Sequence, residues 1–528
     1  MNINFSLFIL FALAGLSVCS APLVKTSYGL IQGVEDEHSY MYLGIPFAKP
    51  PIGDYRWKQP ADIEHWQDVL NASSYKPACP QANCSSRMPQ KSCPPSFSED
   101  CLYLNVFVPK NLSEPKPVML FIHGGNFQYQ GASSIIFDGR TFSNLSDCVF
   151  VTIQYRIGAL GFLVTGLETD QANGNFGILD QRMAINWVKN NIQAFNGNPD
   201  KITLFGQSAG GESVTIHLLS EDMQQNFNNV IIQSSPMSIP FKNFEESILL
   251  YSYFNQELNC APRDLACLRS KSVDDILEAQ AKAESKVASV KLLEFFEAWL
   301  PWIDGKLIKG QLLEFDKWIS NFEIKPFIIG TLTEECYIYI NLGFPKPVGL
   351  TEYGGLLTAA FKQNTLKVLT QYPPDFSTQD QRDLLSVMAT NWVFGCSSRR
   401  FLEKAFNYTT SPSGKFYQYV FDYTLDFDGW DNFTYCNDHV CHGSDMPYTF
   451  DAIESYFTND GKRLARSHIG YWANFARNNQ PGSVNNLEWN NYRLDNKSFV
   501  RFQKNFNTFE QNYLKKECDF FDSIGYYY

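Results

Sequence analysis

The chain has 528 residues, with 43 Lys and Arg against 55 Asp and Glu, and a formal net charge of −12. That balance repels nucleic acid and anionic membrane surfaces, so neither is an expected partner. The length suits one large α/β unit, and without a low-complexity linker or a fixed-period repeat, residues 21–528 are expected to form one domain.

Residues 1–20 read as a secretory leader: residues 5–18 form a short apolar core, and Val18 and Ser20 make a small-residue cleavage site, although no basic residue precedes the core. No later segment is apolar enough over sufficient length to cross a bilayer, which points to secretion or a secretory-vesicle lumen. Of 13 cysteines, Cys19 leaves with the leader, and the even remainder predicts a disulfide framework. Sequons at Asn71, Asn83, Asn111, Asn144, Asn407, Asn432 and Asn496 predict a glycosylated surface.

Residues 24–47 alternate apolar and polar positions around Gly29, Gly33 and Gly44, the pattern of an antiparallel meander. Strand-like runs follow at 118–122, 149–154, 202–205, 230–233, 327–329 and 416–421, with helical patterns at 180–195, 383–406 and 463–477. This alternation predicts an α/β architecture: a large, mostly parallel central sheet with helices on both faces and ligands at the carboxyl ends of its strands.

The run from Ile202 to Gly211 is the most informative segment. A β-type stretch meets Ser208, flanked by Gly206 and Gly210, and a helix-compatible stretch follows. This is the pattern of a nucleophile elbow, a tight turn that lifts the serine hydroxyl clear of the backbone. The Ala209 amide, at the start of the helix, can donate to a developing oxyanion. An ordinary glycine-rich turn is the competing reading.

Four stretches, Tyr42-Leu43-Gly44-Ile45-Pro46-Phe47-Ala48, Ser98-Glu99-Asp100-Cys101-Leu102-Tyr103-Leu104-Asn105, Tyr155-Arg156-Ile157-Gly158-Ala159-Leu160-Gly161-Phe162 and Asn175-Phe176-Gly177-Ile178-Leu179-Asp180-Gln181, resemble the type-B carboxylesterase and cholinesterase-like family. The resemblance spans nearly the whole mature chain and implies the α/β-hydrolase fold. The asparagine-rich composition resembles the crystal-protein branch of that family.

A serine hydroxyl needs an imidazole to take its proton and a carboxylate to fix the imidazole tautomer. In α/β-hydrolases the order is serine, acid, histidine, which removes His38, His65 and His123. His217, nine residues along the helix from Ser208, would lie about 13 Å away on another face. His468 falls inside a helical pattern, which leaves His439 and His442. The stretch Cys441-His442-Gly443-Ser444-Asp445 resembles the family's histidine loop and selects His442. A metal cluster of Cys436, His439, Cys441 and His442 is the competing reading, but an oxidising compartment favours a disulfide and the spacing is not that of a standard zinc site. Neither metal nor organic cofactor is expected.

The resemblance places the acid at Glu335, with Glu334 as its rival, and Cys336 stands where the family commonly has glycine. It places the oxyanion donors at Gly125 and Asn126, in the loop after the strand ending at Ile122, with Ala209 as the third. Asn126 replaces a usual glycine.

No tryptophan lies between Cys79 and Cys101, and Gln207 occupies a position commonly glutamate in cholinesterases. Both departures remove attraction for a quaternary ammonium. Phe295, Phe296, Trp299 and Trp302 lie in the region that forms the acyl pocket in relatives, although aromatics at helical spacing also suit a plain core. The resemblance pairs Cys79 with Cys101, Cys260 with Cys267, and Cys396 with Cys518. Proximity suggests Cys84 with Cys93 and Cys436 with Cys441, leaving Cys148 and Cys336. The expected function is a secreted serine esterase acting on small neutral carboxylic esters, the alternative a non-catalytic or weakly active storage, structural or adhesion member of the same fold.

Overall fold

A computed structural model describes residues 19–288, 296–319, 322–408 and 415–527. Most of the predicted leader therefore lies outside the described residues.

The sheet runs, from one edge to the other, through Ser39–Pro46, Tyr103–Pro109, Val149–Ile153, Lys116–Ile122, Gly197–Gln207, Asn229–Gln233, Phe327–Leu332, Phe416–Asp422, Ser498–Gln503 and Thr508–Gln511. Two-residue strands Val34–Glu35 and Cys19–Ser20 extend the first edge. Every pairing from Val149–Ile153 to Ser498–Gln503 is parallel. The outer pairings are antiparallel, so the sheet is mixed, with a parallel centre. Each strand predicted from an apolar run is present. The edge hairpin Ser498–Gln503 and Thr508–Gln511 was not among those runs.

The central strands Lys116–Ile122, Val149–Ile153 and Asn229–Gln233 are buried throughout, as strands covered on both faces must be. Alternation divides their side chains between two cores. Leu120, Leu204 and Ile232 join Ile185 and Val188 of the helix Phe176–Asn191 on one face. Phe121, Phe205 and Ile231 join Leu464 and Trp472 of the helix Asn459–Asn478 on the other.

The single helix expected at 383–406 is interrupted. It consists of Arg382–Thr390, a π-helical turn Asn391–Gly395, and Cys396–Tyr408. Such turns shift the residues that follow around the helix axis. Here the turn carries Trp392, Val393 and Phe394 to the wall of a cavity beside the site.

Disulfides join Cys79 to Cys101, Cys84 to Cys93, Cys260 to Cys267, Cys396 to Cys518 and Cys436 to Cys441. Cys148 and Cys336 are buried thiols, and burial pushes the Cys148 thiol up to about 11. Asn71, Asn83, Asn111, Asn144, Asn407 and Asn432 are exposed, whereas Asn496 is half-buried and accepts from the Ser498 amide at 3.3 Å. Among the described residues no helix is long and apolar enough to cross a membrane.

Candidate active site

The strand Gly197–Gln207 ends directly at Ser208, and the helix Ala209–Leu218 starts at the next residue. Ser208 has φ 59° and ψ −128°, a strained conformation for a residue with a side chain. Its amide donates to the Gln233 carbonyl at 2.9 Å, which fixes the turn against the neighbouring strand. The turn is closed by contact between its flanking glycines. A Cβ on Gly206 would meet the Gly210 carbonyl oxygen at 2.4 Å, and one on Gly210 would meet the Ile122 oxygen at 2.0 Å. Only glycine fits either place.

The strand Phe327–Leu332 leads into the turn that carries the candidate acid. Glu335 is fully buried, and its Oε1 accepts from the Leu332 amide at 2.8 Å and from the Thr331 hydroxyl at 3.0 Å. Its Oε2 lies 2.5 Å from His442 Nδ1. Cys336, in place of glycine, causes no strain because its φ is −85°. Glu334, the rival, points elsewhere: its Oε1 lies 2.8 Å from Nδ1 of His439, the other remaining histidine, and its Oε2 accepts from the Val440 amide at 2.7 Å. The two alternatives at each position thus form two separate pairs. The Cys436–Cys441 disulfide takes two residues out of the competing metal cluster.

The remaining buried histidines belong to the scaffold. His468 packs between the Trp472 and Phe502 rings, and burial holds it down to about 3. His217 accepts or donates at 3.0 Å with Gln181 in the core, and burial holds it well below the usual imidazole range. His123 stacks on Tyr155 beneath the glycine loop and is held down to about 4 by burial.

The loop after Lys116–Ile122 turns sharply at Gly125 and Asn126, with φ values of 90° and 56°. Their amides donate to no other group among the described residues. The Ala209 amide, first in its helix, is likewise without an intrahelical acceptor. Asn126 does not close the site: its Nδ2 turns aside to donate to the Phe296 carbonyl at 3.1 Å.

Two cavities share Asn126 and Tyr339 in their walls; the one that holds Ser208 is termed outer and the other inner. The outer one is lined by Gln207, Ser208, His442, Met446 and Trp430. The inner one is almost wholly hydrocarbon, from Phe296, Phe344, Leu357, Met388 and Trp392 among others. Among the described residues Glu297 is its one lining carboxyl, and it neighbours Glu212, four residues after Ser208. Burial pushes both up, Glu297 to about 8 against the opposing Lys242 charge, so this wall carries little charge near neutrality.

Phe295 lies outside the described residues. Phe296 lines the inner cavity, but Trp299 and Trp302 do not, which corrects their assignment to a pocket. Trp299 is buried edge-on against Phe254, and Trp302 donates its indole N–H to the Asn173 carbonyl at 2.9 Å. Tyr339, not singled out in the sequence, lies four residues after Glu335, where one helical turn returns it to the acid's side. It lines both cavities.

A serine at a strained strand-to-helix turn, an acid after a later strand and a histidine on a still later loop define the α/β-hydrolase fold. More narrowly, the chain belongs to the carboxylesterase family, whose model matches residues 20–521. It is 36% identical to the cAMP-regulated D2 protein of Dictyostelium discoideum, over 88% of this chain and 85% of that one. It is 33% identical to the Crystal protein of the same organism, over 95% and 91%. The solved structure of a PNB esterase superposes with a TM-score of 0.81 at 27% identity, covering 94% of this chain and 99% of the other.

Proposed function

We propose that the protein is a secreted serine esterase that hydrolyses neutral carboxylic esters. The observation that carries this reading is the 2.5 Å contact between Glu335 and His442 Nδ1, with His442 and Ser208 both lining the outer cavity. Ser208 Oγ attacks the ester carbonyl carbon and gives its proton to His442 Nε2. Glu335 holds the Nδ1 proton, which keeps Nε2 a base and stabilises the imidazolium. The carbonyl oxygen, now negative, faces the Gly125, Asn126 and Ala209 amides. The C–O bond to the alcohol breaks, the alcohol oxygen takes the proton from Nε2, and water repeats the sequence to release the acid.

The leaving oxygen must meet His442, so the outer cavity takes the alcohol and the apolar inner cavity takes the acyl chain. Family membership supports ester hydrolysis, and five disulfides with six exposed sequons support an oxidising, secretory route. Similarity to the Crystal protein favours a second reading, in which storage or a structural task accompanies weak catalysis. Turnover of 4-nitrophenyl butanoate by the purified chain tests the proposal: activity that disappears in Ser208→Ala supports it, and intact turnover in that variant contradicts it.

A further inference from the structure

The side-chain nitrogen of Gln207 lies 2.9 Å from His442 Nε2. Because the Glu335 carboxylate holds the proton on Nδ1, Nε2 carries the lone pair, and the Gln207 amide donates to it. That lone pair is the one that must receive the Ser208 proton. The base is held by a third side chain, and proton transfer from Ser208 to it requires Gln207 to let go.

Release has a cost, because Gln207 is only 4% exposed and an unpaired buried amide donor is unfavourable. Among the described residues the amide oxygen of Gln130 is an unpaired acceptor elsewhere on the cavity wall, and Ile338, Pro447 and Ile453, which share that wall with Gln207, offer no side-chain acceptor. A plain alkyl alcohol offers none either. An alcohol that carries an ether, hydroxyl or carbonyl oxygen a few bonds beyond the ester oxygen can take the amide over as His442 is freed.

We propose that Gln207 is a specificity-determining residue that selects esters of oxygen-bearing alcohols, the chemical class of glycol, glycerol and sugar esters, over esters of plain alkyl alcohols. The inference rests on the esterase reading of the same site. It follows the asymmetry by which a site built to hydrogen-bond one substrate rejects an isostere lacking the partner.

The test compares 2-methoxyethyl butanoate with n-butyl butanoate, which share the acyl group and differ by one oxygen in place of one methylene. Values of kcat/KM are measured for the full chain and for Gln207→Leu and Gln207→Met. The intrinsic reactivity difference between the esters is common to all three proteins, so the change in their ratio isolates Gln207. The expected result is a methoxyethyl-to-butyl ratio about tenfold lower in both variants than in the wild type. A ratio that stays at the wild-type value in either folded variant overturns the inference while leaving the esterase reading intact. Failure of the wild type to hydrolyse either ester removes the esterase reading, and this inference with it.

Discussion

Glu334 and His439 form a second carboxylate–imidazole pair beside the first, with 2.8 Å between Oε1 and Nδ1. The His439 ring stacks on Tyr337 at 3.8 Å, and Glu334 also accepts from the Val440 amide. The pair therefore ties the histidine loop to the acid's own turn, three residues before His442. Glu334→Ala is expected to lower kcat about tenfold with little change in KM, because a small misplacement of the base is costly. Steady-state kinetics on Glu334→Ala and Glu334→Gln check this: Gln keeps an acceptor oxygen for the Val440 amide, its nitrogen can donate to His439 Nδ1 in the other tautomer, and it is expected to recover much of the rate. An unchanged kcat in the folded Ala variant would rule out a positioning role.

In the proposed mechanism Glu335, buried 2.5 Å from His442 Nδ1, sets the tautomer of that imidazole. Glu335→Gln preserves volume but offers an amide that can face Nδ1 as a donor and place the proton on Nε2. A fall in kcat of about a thousandfold or more is expected, with the fold intact by circular dichroism. A loss of less than tenfold would mean that another group orients His442.

Gly210 is the tightest point of the elbow, where an added Cβ would lie 2.0 Å from the Ile122 oxygen. The obstacle is backbone of a central strand, which cannot rotate away. Gly210→Ala is expected to cost about 3 kcal/mol or more, at the upper end of overpacking effects. Urea unfolding monitored by tryptophan fluorescence provides the check, and a midpoint equal to wild type would show that the turn is looser than described.

Asp445 lies three residues beyond His442 and is fully buried. Burial pushes its carboxyl up to about 7, the Glu335 charge adds to this, and a hydrogen bond from Gln233 opposes it. Between the unfolded value near 4 and about 7, the folded chain holds a proton that the unfolded chain has released. The resulting stability is complete below that window and is lost as pH rises through it. Asp445→Asn removes the dependence, so its stability relative to wild type is expected to rise from about pH 4 to about pH 7 and to level off above that. Buried His123, His217 and His468 act in the opposite direction on the acid side, but they are common to both proteins and cancel in the difference. A flat difference in urea midpoint across this range would contradict the assignment.

The parallel strands, Ser208 and its two glycines are legible because their signals are local: unbroken apolar runs for strands covered twice, and a turn too tight for any Cβ. The edge hairpin is harder to read, since Ser498–Gln503 carries Arg501, which is neutralised only by Glu510 on the partner strand and Asp422 on its other neighbour. The two carboxylate–imidazole pairs join residues 105 and 107 positions apart, and the Gln207–His442 contact spans 235. No periodicity reports such contacts, so local patterning leaves Glu334 and Glu335 equivalent, and the strand-to-turn geometry separates them. Trp299 shows the same limit from the other side. An aromatic at helical spacing fills either a core or a pocket, and only the position of Phe254 decides.

The central claim is that Ser208 is a nucleophile activated by His442. Treating the purified protein with a fluorophosphonate and mapping the adduct by peptide mass spectrometry tests it most directly. The account predicts one phosphonyl group on the Ser208 peptide, absent in Ser208→Ala and formed far more slowly in His442→Ala. An unmodified Ser208, or labelling at the wild-type rate in His442→Ala, would contradict it.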